Sequence, residues 1–230
     1  MTVYLHELVQ TVAGRTEDYL DGIGEHQGRA SQRIGRKDGV VGLWSALEAT
    51  GTWPLGVNLW QIGTWDDVAA NLARQFEPST QDPELKRWWL ANLDLRTGGF
   101  DRLIESTSYS PDVTTLRARG VGGTLFLQQI VEVGRGEVEN YLAAFGDEGV
   151  AAIEGAGGAL VGAYRVRLRD SEALTLVAFR DAADFARFQT SWYDAASPLG
   201  RWRAREDRWV RAKSALLLKS KHFLGSPWHP

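Results

Sequence analysis

The stretch Thr2-Val3-Tyr4-Leu5-His6-Glu7-Leu8-Val9-Gln10 has a second copy later in the chain, and the predicted fold follows from this repeat. The copy is Thr124-Leu125-Phe126-Leu127-Gln128-Gln129-Ile130-Val131-Glu132, which aligns without a gap. The alignment continues through a glycine and a glutamate to an identical pair, Tyr19-Leu20 and Tyr141-Leu142. Further on, Val41-Gly42-Leu43-Trp44 matches Val161-Gly162-Ala163-Tyr164. A repeat kept in this order indicates a duplicated structural unit.

Each copy has the same predicted order of elements. Alternating apolar residues indicate strands, and apolar residues at helical spacing indicate the helices between them. The strands of the first copy are predicted at 3–11, 40–47, 57–63 and 101–109. Those of the second copy are predicted at 125–133, 160–168, 173–180 and 212–220. The clearest helix is predicted at 65–76, and the resulting order β-α-β-β-α-β is that of a ferredoxin-like unit.

These elements predict an α+β protein made of two tandem ferredoxin-like repeats. The boundaries are expected at 1–110 for the first repeat, 111–123 for a linker, 124–222 for the second repeat and 223–230 for a C-terminal tail. A sheet with helices on one face needs cover on the other. We therefore expect the repeats to pack their sheets together in one intramolecular barrel, with antiparallel sheets, helices outside and a cavity between the sheets.

The composition of the 230 residues excludes several classes of protein. With no cysteine, the chain has no disulfide scaffold, cysteine-bound metal or cysteine nucleophile. A formal net charge of −3 argues against a nucleic-acid partner. No apolar run suits a membrane span or a signal peptide, so we expect no membrane partner and a cytoplasmic location. No histidine pair has metal-ligand spacing, so no metal is expected. The chain is expected to be a monomer or a homodimer.

The strand, glycine and Glu-x-Tyr-Leu entry into the first helix, together with Trp65-Asp66-Asp67-Val68, resembles the dimeric α+β barrel superfamily. Within it, the chain is most similar to NIPSNAP-like domains, over about 1–110 and 123–222. The resemblance implies a ligand-binding barrel. The superfamily includes haem-degrading monooxygenases, cofactor-free monooxygenases, polyketide cyclases, haem dehydratases and peroxidases, and membership alone does not select among them.

Alternation along the strands predicts which side chains face the cavity. Those expected to face the helices are Val3, Leu5 and Val9. Those expected to face the cavity are Tyr4, His6, Leu8, Gln10, Asn58, Trp60 and Ile62. The matching positions of the second repeat are Phe126, Gln128, Ile130, Glu132, Thr175, Val177 and Phe179. Because the first repeat has polar residues where the second has apolar ones, the site is expected in the first repeat.

Four candidate catalytic residues follow from this placement. His6 is the expected general base, since a neutral imidazole accepts protons near neutral pH. Asn58 and Tyr109 are expected to polarise substrate oxygens. Glu105, if buried, is expected to have a raised pKa and to transfer protons. The expected substrate-binding residues are Tyr4, Trp44, Trp60, Gln128 and Tyr164. Arg165 and Arg167 flank Tyr164 and indicate either an anion contact or a solvated strand face.

The function indicated is that of a small tailoring enzyme that binds a mostly apolar or aromatic, polyketide-like molecule in the barrel cavity. Its chemistry is expected to be cofactor-independent cyclisation, isomerisation, elimination or oxygenation. One alternative is a haem enzyme with His6 or His222 as axial ligand, although the stretches 65–93 and 182–209 contain no histidine. The other alternative is a non-catalytic ligand-binding or assembly protein.

Overall fold

The computed structural model describes residues 1–34, 39–77, 83–223 and 226–228. The chain divides into two compact units. Unit 1 consists of Met1–Leu103 and Lys221–Ser226, and unit 2 of Ile104–Ser220 and Pro227–Pro230. Lys221–Ser226, which directly follow the last strand and are called the C-terminal segment, therefore count with unit 1 by their contacts.

Unit 1 has the ferredoxin-like strand order β4-β1-β3-β2. Its strands are β1 (Val3–Thr11), β2 (Gly39–Ala46), β3 (Leu55–Gly63) and β4 (Arg96–Ser106), of which Ile104–Ser106 count with unit 2. Its helices are α1 (Thr16–Ile34), α2 (Trp65–Phe76) and α3 (Pro83–Leu93). A capping box formed by Thr64 and Asp67 starts α2 at the predicted residue.

Unit 2 has the equivalent strand order β8-β5-β7-β6. Its strands are β5 (Leu125–Val133), β6 (Ala159–Val166), β7 (Glu172–Phe179) and β8 (Val210–Ser220). Its helices are α4 (Val113–Ala118), α5 (Val138–Ala144), α6 (Val150–Gly155), α7 (Ala182–Tyr193) and α8 (Pro198–Glu206). A π turn at Phe145–Gly149 joins α5 to α6. The predicted linker thus contains a short helix, α4, which Asp112 caps.

Both units repeat a local packing feature that the sequence alignment had paired. In β2 the indole of Trp44 lies over Gly42, where an added Cβ atom would overlap the ring. In β6 the phenol of Tyr164 lies over Gly162 in the same way. Residues two apart on a strand share a face, so each glycine leaves room for the aromatic side chain that follows it.

The core of unit 1 lies between the sheet and α1. Tyr19, Leu20 and Ile23 are buried there against Val9 of β1. Phe223 from the C-terminal segment joins this cluster and packs directly against α1 at Gly24. The helix-facing prediction for Val9 is therefore confirmed, and it identifies the sheet face on which α1 lies.

The last strand of the first repeat is shorter at its C-terminal end than predicted. β4 ends at Ser106, and a turn in which the Ser110 N–H donates to the Thr107 carbonyl follows it. Tyr109 therefore lies in this turn and not on the strand. Over the part of the chain that the structure describes, no helix combines the length and the apolar character needed to cross a membrane.

Candidate functional site

A carboxyl group lies on the helix-facing side of the first strand. Glu7 is 8% exposed, and it stands opposite Asn58 in the antiparallel pairing of β1 with β3. In the same pairing Leu5 stands opposite Trp60. Directly paired residues of an antiparallel ladder project from the same face, and so do residues two apart on one strand. Leu5 and Glu7 are two apart, so Glu7, Asn58 and Trp60 share one face. The contact of Asn58 with Tyr19 of α1 identifies it as the helix-facing one.

Two hydrogen bonds hold this carboxyl group. The Asn58 Nδ2 donates to Glu7 Oε2 at 3.0 Å, and the Trp60 Nε1 donates to the same oxygen at 2.5 Å. The second N–H of Asn58 donates to the Tyr19 hydroxyl at 2.6 Å. Glu7 Oε1 has no hydrogen-bond partner among the described residues, so it is the oxygen available to another molecule.

Burial raises the pKa of Glu7 above its ordinary value of 4.5, because removal from water disfavours the charged form. The hydrogen bonds from Asn58 and Trp60 oppose this rise, and so does the charge of Arg96. Asp101 adds to it by repulsion. Burial also raises the pKa of the Tyr19 hydroxyl, which therefore stays protonated at neutral pH. The cluster is thus an acid–base group in a poorly hydrated setting.

An arginine completes the charged part of this face. The guanidinium of Arg96 lies 4.1 Å from the ring centre of Trp89 on α3, a cation–π contact. Its Nε and Nη2 atoms are buried and have no hydrogen-bond partner among the described residues. Burial raises the pKa of both Glu7 and Asp101, and the charge of Arg96 opposes that rise in each, so the three groups interact electrostatically. Buried donors without acceptors are uncommon in proteins and are satisfied when an anionic group binds.

The predicted orientation of two site residues was wrong. Asn58 and Trp60 share a face with Ile62, as expected, but that face carries α1 and not the predicted cavity. The physical reason is the pairing register, which joins Asn58 to Glu7 and not to His6. The predicted role of Asn58 also changes, because both of its N–H groups are taken by Glu7 and Tyr19.

His6, Tyr4 and Trp44 project from the other face of the unit 1 sheet. His6 stands opposite Leu59 and Trp44 opposite Val57, and the side chains of all three predicted residues are buried. They are placed as the alternation predicted, away from the helices. His6 and Asn58 therefore lie on opposite faces of one sheet, and the structure does not bring the predicted base to the predicted amide. The catalytic role of His6 stays a prediction.

Glu105 and Tyr109 belong to unit 2. Glu105 is 5% exposed and bonds to the guanidinium of Arg167. The predicted raised pKa of Glu105 and its role in proton transfer stay predictions. The Tyr109 hydroxyl donates to the Leu142 carbonyl at 2.7 Å, and burial raises its pKa to about 12. Tyr109 therefore anchors its turn to α5, and its proton is already donated.

Gln128 and Tyr164 are buried on the face of the unit 2 sheet opposite its helices. Gln128 stands opposite Leu176, and Tyr164 opposite Leu174. Their placement agrees with the alternation, and their predicted contact with a substrate stays a prediction.

The second unit has the same pairing register without the acid–base cluster. Gln129 stands opposite Thr175, and Leu127 opposite Val177, at the positions of the Glu7–Asn58 and Leu5–Trp60 pairs. The equivalent of Tyr19 is Tyr141, which packs against Phe145 and Trp202. The expectation that the first repeat holds the site stays a prediction.

Sequence reasoning missed Glu7, Arg96 and Trp89. A signal for Glu7 was present, since it has the same strand parity as Val3, Leu5 and Val9, and a carboxyl group in an apolar stripe is unusual. Arg96 gave no such signal, because its contact with Trp89 depends on how α3 packs.

No family model and no curated protein matches the chain. Solved structures do match. A "putative monooxygenase" from Lactobacillus acidophilus NCFM aligns over 95% of this chain and 93% of its own, with TM-score 0.61 and 10% identity. An anthrone oxidase-like protein aligns over 96% and 92%, with TM-score 0.62 and 11% identity. A NIPSNAP domain protein from Burkholderia xenovorans aligns over 44% of this chain and 99% of its own, with TM-score 0.39 and 16% identity.

These similarities confirm the predicted fold class: two tandem ferredoxin-like repeats of the dimeric α+β barrel type. At 10–11% identity they establish the fold and not an activity.

The described residues around Glu7 do not fit a haem site. Haem iron takes an axial ligand such as histidine. His6 projects from the opposite face of β1, and His222 is exposed in the C-terminal segment. Within the described ranges, no group of three or more His, Cys, Asp or Glu side chains is arranged to hold a metal ion.

Proposed function

We propose that this protein is an enzyme that moves protons on a mostly apolar or aromatic small molecule, with Glu7 of unit 1 as its acid–base group. The observation that carries the proposal is a buried carboxyl group with a raised pKa, held by Asn58 and Trp60. The carboxyl group of Glu7 lies next to aromatic side chains, because its partner Trp60 packs against the same cluster as Trp88 of α3. A general base works best when its pKa approaches the working pH.

The chemistry that fits this set of groups is proton abstraction next to a carbonyl. Glu7 Oε1 takes the proton from carbon, and the electron pair moves onto the carbonyl oxygen to give an enolate. The guanidinium of Arg96 would stabilise that negative oxygen. Glu7 then returns the proton to the product or to a leaving oxygen. Cyclisation, isomerisation and elimination all proceed through such an enolate, and an electron-rich enolate also reacts with dioxygen.

Asn58 acts here as a positioning residue. It fixes the orientation of the carboxyl group through Oε2, which leaves Oε1 toward the substrate. Trp60 has the same effect and adds an aromatic wall for a planar molecule. The proposed site is therefore on the helix face of unit 1 and not in the predicted cavity between sheets.

Anthrone is a suitable probe, since it is a planar aryl ketone with acidic methylene protons and an anthrone oxidase-like protein shares the fold. Exchange of its methylene protons in D2O, followed by NMR, reports proton abstraction whatever reaction follows. We expect the wild-type protein to accelerate this exchange and Glu7→Gln to lower the enzymatic rate by at least about 100-fold, the usual scale for a lost general base.

The matched control is Glu132→Gln, which makes the same change at an exposed position of β5. It should exchange anthrone protons at the wild-type rate. A wild-type protein that accelerates exchange of neither anthrone nor other enolisable aryl ketones would count against the proposal, as would a fully active Glu7→Gln protein. A Soret band from the purified protein would favour the haem alternative instead.

A further inference from the structure

A surface cleft in unit 2 is lined by arginine side chains from the end of β6, the hairpin that follows it and the loop before α5. Its volume is about 320 Å³, and it lies between the loop that precedes α5 and the hairpin that joins β6 to β7. Its charged lining residues are Arg135, Glu139, Arg165, Arg167, Arg169 and Asp170. Four guanidinium groups thus meet two carboxylates in a space large enough for a small molecule.

Three of these arginines form ion pairs with carboxylates. Arg165 Nη2 lies 2.5 Å from Glu139 Oε2, and Arg169 Nη1 lies 2.5 Å from Glu172 Oε1. Arg167 pairs with the buried Glu105. A guanidinium carries its five N–H donors in a planar fork, so an ion pair with a carboxylate fixes the orientation of the whole group. The carboxylates therefore position the arginines as well as compensate their charge.

Arg135 differs from the other three. It is exposed, and it makes no ion pair or side-chain hydrogen bond with any described residue. It also stands next to Gly136, whose φ of +81° turns the chain into the cleft wall. A fourth cation is thus available at the rim of a cleft whose other cations are already oriented.

The fold itself does not require this cluster. Unit 1 builds the same strand order with Ala13, Ser45 and Leu47 at the positions that align with Arg135, Arg165 and Arg167. At the hairpin tip, Leu168 has a φ of 64°, which is a strained backbone conformation for leucine. Its side chain is 92% exposed, so packing of that side chain does not offset the strain. These arginines are absent from the aligned positions of unit 1 and the hairpin beside them is strained, and these two features together indicate a binding role.

We propose that this cleft binds a small molecule through a phosphate group. Phosphate oxygens accept several charge-assisted hydrogen bonds at once, and arginine forks match their geometry. The site is separate from the Glu7 cluster and does not depend on the function proposed for it.

The test uses inorganic pyrophosphate as the probe, titrated calorimetrically into the intact protein at constant ionic strength. We expect one pyrophosphate per chain with a dissociation constant below about 1 mM. Arg135→Gln should weaken binding by about tenfold, since one charge-assisted hydrogen bond contributes on that scale. Because the Arg135 side chain has no described partner, this variant should fold normally, which its thermal unfolding would check.

Arg208→Gln is the matched control, because it removes the same charge from an exposed position of unit 2 that does not line the cleft. It should bind pyrophosphate as the wild type does. Equal weakening in both variants would show only general charge attraction and would overturn the proposal. Absence of saturable binding by the wild type up to about 10 mM would do the same.

Discussion

Glu7 carries a carboxyl group on the helix-facing side of β1, between the apolar side chains of Leu5 and Val9. Two N–H groups donate to Oε2, and these hydrogen bonds offset part of the free-energy cost of burying the carboxyl group. The same burial raises its pKa, so the native state binds the Glu7 proton more tightly than the unfolded chain does. The property that suits Glu7 to proton transfer therefore also makes the free energy of unfolding depend on pH.

The pH dependence of stability follows from that raised pKa. Glu7 contributes most to stability below pH 4.5, and this contribution is lost as the pH rises through the higher pKa of the folded state. The free energy of unfolding of the wild type, relative to Glu7→Gln, should therefore fall as the pH rises from 4.5 and level off above the folded-state pKa. Urea unfolding at a series of pH values measures it. A difference that grows with pH would contradict the assignment, and Glu132→Gln should show no comparable trend.

At the scale of elements, α1 is held from two sides. Its inner side packs on the sheet through Tyr19, Leu20 and Ile23, and the C-terminal segment packs against it through Phe223. Lys221 adds ion pairs to Glu17 and Asp21, both at 2.9 Å. Partial burial lowers the pKa of Lys221, but its hydrogen bonds to Asp21 and Glu17 outweigh that effect and raise it. The segment after β8 is therefore part of the support for the helix that covers Glu7.

Removing the Phe223 ring should destabilise the protein. Phe223 is 8% exposed, so Phe223→Ala leaves a cavity beside α1 and should cost about 3 kcal/mol in the free energy of unfolding. Phe76→Ala makes the same change on α2 at a position that is 81% exposed, and it should cost less than about 0.5 kcal/mol. Chemical denaturation of both variants decides the matter, and equal costs would show that the segment does not support α1.

At the scale of the whole molecule, the two units share one topology but differ in what fills the helix face of the sheet. The core cluster of unit 2 contains several aromatic side chains, including Phe145, Phe188 and Trp202. Unit 2 also contains a buried ion pair between Glu206 and Lys213. Burial raises the pKa of Glu206 and lowers that of Lys213, against their mutual attraction. Unit 1 has Glu7, Asn58 and Trp60 at the corresponding strand positions. The two units thus differ at the strand positions where unit 1 has its candidate reactive group.

The ion pair of unit 2 should prove structural. Lys213→Met leaves Glu206 buried, at 3% side-chain exposure, without its cation, and this should cost about 3 kcal/mol. Lys219→Met, at an exposed position of the same strand, should change stability by less than about 0.5 kcal/mol. Urea unfolding compares the two variants. If Lys213→Met were as stable as the wild type, the pair would not be needed to close unit 2.

The order of elements, the duplication and the alternation of β1 could be predicted from the sequence, because periodicity and repeats are local properties of a chain. His6, Tyr4 and Trp44 lie on the sheet face where alternation placed them. The site could not be derived in this way. Alternation groups Asn58 with Trp60 but does not say which face they share, since that depends on the pairing of β3 with β1. Likewise, the bond from Glu105 to Arg167 and the contact of Arg96 with Trp89 join residues distant in sequence, so only the tertiary structure decided them.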